Sequence, residues 1–259
     1  MKIALRALSI ATTIFWIIIL AFAITLVYSA MNIRMKIGEP QINVADDILT
    51  ISIPLHINNT GFYDITALNV TTKLTDENAS SLAWASTTVD FIPYGTGTTV
   101  FHNITLNIND MIAKSQNLLF NDTLLNFTQI FKLTLAHTVP IQLSTNQTLE
   151  WGAPLYNFNV TKPIFQPSTT PTPKAIVTVS FENHSPYFNI NGTMHIQIFN
   201  EQKQLVGNAT KTLNVTSHSL FQDQIELTVD AAKFTEKGEI WVYFETSTFS
   251  FGPLVIPFD

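Results

Sequence analysis

The chain has 259 residues, a formal net charge of −6, 12% charged residues and no cysteine. Past Pro40 it carries nine lysines and no arginine, so it has no basic face for nucleic acid. The absence of cysteine excludes disulfides and thiolate metal sites, which leaves any exported domain to be held by its core.

No charge falls between Arg6 and Arg34, and the 19 residues from Ile10 to Tyr28 are almost purely apolar. As a helix that run is about 30 Å long, the thickness of a hydrocarbon core. It predicts a transmembrane anchor over residues 1–35 with its span at about 8–30. Trp16 and Tyr28 are placed toward the two interfaces, Trp16 rather deep for that role. Lys2 and Arg6 with the α-amine precede the span, and Arg34 and Lys36 follow it. This bare excess favours a cytoplasmic N-terminus, with 36–259 extracytoplasmic at the cell membrane. A cleaved signal peptide is the alternative, with Val27-Tyr28-Ser29 as its cleavage site, although its apolar region is long for a signal. Both readings export the rest of the chain.

Beyond residue 40 the periodicity is that of strands. Asp46-Asp47 reads as a solvated turn, and residues 49–57 (LTISIPLHI) alternate with period two. So do 101–108, 131–136, 175–181, 194–199 and 225–229, whereas 240–244 (IWVYF) is apolar throughout, as a buried strand is. Asp76-Glu77-Asn78 reads as a turn, and Gly95-Thr96-Gly97-Thr98 as a hairpin turn. A short helix is expected over 109–120, capped by Asn109 or Asp110. Four prolines (Pro163, Pro167, Pro171, Pro173) mark 162–174 as a semi-rigid linker. The expected organisation is an anchor (1–35), a first β-sandwich (36–161), the linker (162–174) and a second β-sandwich (175–259).

The two flanking parts read as copies. Asn58-Asn59-Thr60-Gly61-Phe62-Tyr63-Asp64-Ile65 aligns with Asn183-His184-Ser185-Pro186-Tyr187-Phe188-Asn189-Ile190. Residues 103–108 match 224–229 in pattern, and each part closes on an aromatic-Gly-turn: Trp151-Gly152-Ala153-Pro154-Leu155 and Phe251-Gly252-Pro253-Leu254. Gly152 and Gly252 are expected to hold positive φ there. The first copy is longer, mostly by the helix and the 121–126 loop.

A strand, then Asn-Pro-x-x-aromatic-x-x-Ile, then another strand resembles the water-stress and hypersensitive-response (WHy) domain, the late-embryogenesis-abundant type 2 fold. Asn58 and Asn183 stand for its asparagine. Its proline is absent: Asn59 and His184 hold that place, and Gly61 and Pro186 follow two residues later. The resemblance covers about half of each part. It implies an all-β fold of two tandem immunoglobulin-like sandwiches, the first carrying a short helix. It also implies roles in desiccation protection or in lipid and membrane-associated binding, with no catalytic residues. An anchor followed by tandem sandwiches is similar, too, to many archaeal envelope proteins.

Twelve Asn-x-Ser/Thr triplets follow the anchor, at Asn58, Asn69, Asn78, Asn103, Asn121, Asn126, Asn146, Asn159, Asn183, Asn191, Asn208 and Asn214. Composition alone gives roughly four, so the excess points to a glycosylated surface, with glycans hydrating a face short of charge. A Thr- and Asn-rich β protein meeting the pattern by composition is the plainer alternative.

No catalytic, cofactor or metal constellation stands out. His56, His102, His137, His184, His195 and His218 show no HExxH pattern or metal-ligand spacing. Asp76-Glu77-Asn78 and Asn107-Asn109-Asp110 offer oxygens for Ca²⁺ but lack the EF-hand pattern. Gly95–Thr98 is no phosphate loop, and GxSxG is missing. Phe62, Tyr63, Tyr187 and Phe188 suggest either a ligand platform or simple core-and-surface alternation. The reading is a membrane-anchored structural or adhesive glycoprotein without catalytic activity. Its expected partners are the membrane, through one span, and other envelope proteins or itself. A small-molecule or lipid binding module is the first alternative, and a surface hydrolase the second.

Overall fold

The computed structural model describes residues 2–166 and 173–259. Pro167 and Pro171 of the Pro-rich stretch lie outside them. The chain folds as one N-terminal helix followed by two tandem immunoglobulin-like β-sandwiches.

Helix α1 (Lys2–Met31) carries the apolar run, and its 27 residues from Leu5 to Met31 suffice to cross a membrane. A signal sequence passes the same test of length and composition. The helix ends at Met31, and a strand begins two residues on, within the segment assigned to the anchor from sequence.

The first unit contains β1 (Ile33–Ile37), β2 (Gln41–Ala45), β3 (Ile48–Asn59), β4 (Ile65–Thr75), β5 (Ser81–Ile92), β6 (Thr96–Asn107), β7 (Thr123–Leu135) and β8 (Val139–Trp151). One sheet joins β1 and β2, end to end on one edge of β3, with β6 on the other edge. The facing sheet runs β5-β4-β7-β8. The break between β1 and β2 has a local cause. Pro54 of β3 has no N–H to donate, and its carbonyl accepts from Gly38 N at 2.7 Å, so its missing donor faces that edge. A Cβ on Gly38 would lie 2.7 Å from the Pro54 ring, so only glycine fits the close approach.

The second unit contains β9 (Tyr156–Val160), β10 (Ile164–Gln166), β11 (Lys174–Asn183), β12 (Ile190–Asn200), β13 (Leu205–Val215), β14 (Ser219–Val229), β15 (Gly238–Thr246) and β16 (Ser250–Phe258). Its order repeats the first strand for strand. β9 and β10 share one edge of β11, β14 takes the other, and β13-β12-β15-β16 follows. Two residue pairs between β13 and β14 join its sheets. Strand pairing thus puts 156–160 and 164–166 with the second unit. Their edge breaks at Thr161–Pro163, as the first unit's does at Gly38–Pro40.

Several local expectations change. Residues 109–120 form two short helices, α2 (Ile108–Lys114) and α3 (Asn117–Phe120). The cap of α2 is Asn107, whose side chain accepts from Asp110 N at 3.0 Å, because Asn109 and Asp110 already lie within the turn. Gly95–Thr98 is not a hairpin turn: β5 and β6 belong to opposite sheets, so the chain arches between them at Pro93–Gly95. Gly252 does hold positive φ, +133°, but inside β16 and not in a closing turn. Gly152 lies outside the positive-φ region and is required for another reason, given below.

Asp47 is no free solvated turn residue either. Its carboxylate accepts from Asn107 Nδ2 at 2.7 Å and Asn109 Nδ2 at 3.2 Å. The core rows (Leu49, Ile51, Ile53 and Leu55 on β3; Ala175, Val177, Val179 and Phe181 on β11) are buried on every second residue, as the alternation requires. One continuous apolar cluster runs through both units.

Candidate functional site

The built features of this molecule are two joints, and the same turn makes both. In the first unit the turn Asn59–Asp64 joins β3 to β4. In the second, Asn183–Asn189 joins β11 to β12. Each opens on a fully buried asparagine. Asn59 Nδ2 donates to the carbonyls of Tyr63, Ile92 and Pro93, and its Oδ1 accepts from Gly61 N. Asn183 Nδ2 donates to Phe188, Val215 and Thr216, and its Oδ1 accepts from Ser185 N. The amide thus satisfies backbone groups that the turn and the neighbouring strand end leave open. The structural partner of Asn183 is therefore Asn59, not the Asn58 chosen by alignment. Asn58 is exposed, while Ile65 and Ile190 are both buried at the strand starts.

At the first joint this turn grips the end of α1. Ser29 is fully buried, and Phe62 N donates to its Oγ at 2.7 Å. Tyr28 stacks on Phe62 with centroids 4.9 Å apart, and Phe22 meets Tyr63 edge-on at 5.7 Å. Thr25 Oγ1 and Tyr63 OH share a 2.8 Å hydrogen bond. Thr60 donates to Asn32 O from both N and Oγ1. A Cβ on Gly61 would sit 2.8 Å from Ser29. The helix end approaches so closely because Gly61 has no side chain.

At the second joint the turn grips the end of β8. Tyr187 OH donates to Glu150 O at 2.7 Å, and His184 N to Ala153 O at 2.9 Å. Trp151 lies beside Tyr187 and Phe188, and its Nε1 donates to Leu118 O at 2.8 Å. A Cβ on Gly152 would collide with the His184 carbonyl. The helical insertion completes this joint. Phe120 packs against Phe158 and Phe251, Leu155 N donates to Leu119 O, and Ser250 N donates to Asn109 Oδ1.

His184 is held between two carboxylates there. Its Nδ1 lies 2.8 Å from Asp122 Oδ2, its Nε2 3.0 Å from Glu182 Oε2, and its ring stacks on Tyr156 at 4.1 Å. Burial works to lower its pKa, but the hydrogen bonds and charges of Asp122 and Glu182 together outweigh that and raise it above the ordinary histidine value. Beside it opens a cleft of about 660 Å³, bordered by Glu77, Asp122, Glu150, Pro186 and His218.

Among the described residues no group of three or more His, Asp or Glu is placed to hold a metal ion. The oxygens singled out in sequence have other uses. Asp76 Oδ1 accepts from Asn78 N and Ser80 N within its turn. Asn107 Oδ1 caps α2, and Asn109 Oδ1 serves Ser250. His56 and His195 each bond a cross-strand threonine, and His137 and His218 are exposed. His102 is fully buried between the sheets of the first unit, with a lowered pKa caused by that burial.

Of the sequon asparagines, Asn58, Asn78, Asn103, Asn121, Asn126, Asn146, Asn159, Asn191, Asn208 and Asn214 are exposed, and Asn69 is half-buried. Asn183 differs from them: it is fully buried, and its amide nitrogen donates to three carbonyls inside the fold. Sequence reading found both turns but not what they hold. Asp122 and Glu182, the partners of His184, lie 62 and 2 residues away and had no motif to mark them.

The fold and its joints define a class: tandem immunoglobulin-like sandwiches behind a candidate membrane span. No family model and no curated protein matches the chain. It is similar to a solved biofilm-associated protein BSP domain at 13% identity and TM-score 0.36, over 88% of this chain and 51% of that one. A bacterial adhesin from Mobiluncus mulieris is similar at 10% identity and TM-score 0.32, over 81% and 80%. Red sea bream transglutaminase is similar at 12% identity and TM-score 0.33, over 88% and 31%. The chain thus spans about a third of the transglutaminase and half of the BSP structure. Likenesses this remote carry no argument about activity.

Proposed function

We propose that the chain is a membrane-anchored structural or adhesive glycoprotein, held by an uncleaved α1, with two docked sandwiches outside the membrane and no catalytic activity. The observation that carries this reading is the first joint. A signal peptide is discarded after export, so nothing in the mature domain need fit it. Here Ser29, the last residue of the candidate cleavage site, is buried and hydrogen-bonded, and Tyr28 and Thr25 have their own partners. Cleavage there would strip Gly61, Phe62 and Tyr63 of what they pack against. The exposed sequon asparagines support glycans on a surface with few charges. The exposed sheet edge β16 is where other envelope proteins or a second copy would add. Cross-linking mass spectrometry on intact source cells tests the role. Reproducible links from residues 32–259 to other envelope proteins or to a second copy are expected. Good peptide coverage with no such links would overturn the structural role.

A further inference from the structure

At the end of α1 the first sandwich is open. A groove of about 700 Å³ lies between the helix end (Leu26, Ala30), β1 (Met35) and the edge strand β8 (Val139, Ile141, Leu143), and all ten residues lining it are apolar. Water gains nothing from such a surface, and covering it is favourable in proportion to its area. We infer that the acyl chains of the leaflet around α1 fill this groove, so that the first sandwich is seated in the membrane interface and not held above it. This rests on α1 being a retained span.

Four observations name lipid as the occupant. The groove is continuous with the apolar surface of α1, because Val27 and Met31 both line it and are exposed on the helix. The sandwich already touches the helix at Phe22 and Thr25, deep in the uncharged run. The 27 residues from Leu5 to Met31, with Arg6 their one charge, are about 40 Å of helix, some 10 Å more than a bilayer core needs, so the last turns and the groove beside them fall at its boundary. Finally, β1 turns Ile33, Met35 and Ile37 inward and Arg34 and Lys36 outward. These two are the only Lys or Arg between Arg6 and Lys73, and cations just past a span lie level with headgroup phosphates.

The chain has no cysteine, so each one introduced is a unique label site. Full-length Leu143→Cys, Leu20→Cys and Leu220→Cys, at positions 52%, 62% and 61% exposed, are nitroxide-labelled and reconstituted in phosphatidylcholine vesicles. Collision rates with oxygen, which enriches in lipid, and with a water-soluble nickel chelate are then read by electron paramagnetic resonance. Val139→Cys repeats the groove reading in case position 143 perturbs the strand. The groove labels are expected to behave like Leu20→Cys, oxygen-rich with nickel collisions several-fold below those at Leu220→Cys. A lipid-like Leu20→Cys with nickel-accessible groove labels overturns the inference, since the groove then faces water. Groove labels shielded from both reagents overturn it too, since protein then covers the groove. A nickel-accessible Leu20→Cys removes the span itself, a distinct failure.

Discussion

His102 stands on β6 with each ring nitrogen 2.8 Å from a hydroxyl of the opposite sheet, Thr72 on β4 and Thr87 on β5. Because burial lowers its pKa, the unfolded chain takes up the proton first as pH falls. Its contribution to stability is therefore complete above about pH 6.5 and is lost progressively below it. Urea unfolding of the first sandwich is expected to show this loss between neutral and mildly acid pH. His102→Leu should remove that acid sensitivity while costing about 1–3 kcal/mol at neutral pH, because two hydroxyls lose their partner. Equal acid sensitivity in the variant would refute the assignment. Asn183 works at the same scale. Asn183→Ala should cost about 1–3 kcal/mol in the second sandwich, and glycopeptide mapping should find position 183 bare on folded protein. The sequon rule drew attention to Asn58 and Asn183 alike. A triplet records composition and not burial, and Asn59, the true counterpart, matches no triplet.

At the scale of elements, legibility followed burial. β3 and β11 alternate in sequence because one face of each is wholly core. β5 is an edge strand whose apolar residues (Leu82, Ala83, Trp84, Ala85) run together without alternation, so no period selects for it. The junction glycines separate two physical reasons. Gly252→Val should destabilise the second sandwich by forcing a β-branched residue to φ +133° against the Val242 carbonyl. Gly152→Val should leave both sandwiches folded but part them, because its Cβ meets the His184 carbonyl across the joint. Thermal melting of each variant, read beside limited proteolysis at 151–156, distinguishes the two. Loss of Gly152→Val to global unfolding would mean that the units do not fold apart.

For the whole molecule, the sequence revealed two copies and an extra helical segment, but not that this segment is the joint. Phe120 reaches Phe158 and Phe251, contacts with no local pattern. His184 is expected to make that joint pH-dependent. Its raised pKa means that its ion pairs with Asp122 and Glu182 are present below the ordinary histidine value of about 6.5 and are lost as pH rises through the raised one. Small-angle scattering of the wild type should show looser units at alkaline pH, and His184→Ala should be loose throughout. Truncation carries a boundary test. A chain beginning at Asn32 keeps β1 and should fold, whereas one beginning at Lys36 bares the edge of β3 and should aggregate.

In this proposal α1 stays attached and spans the membrane with both sandwiches on the outer side. Tagging both ends, extracting membranes with carbonate and treating intact cells with protease addresses it in one preparation. The full-length chain is expected to remain in the pellet, its C-terminal tag removed by external protease and its N-terminal tag spared. A soluble chain beginning near Ala30, or two tags equally protected, would contradict it.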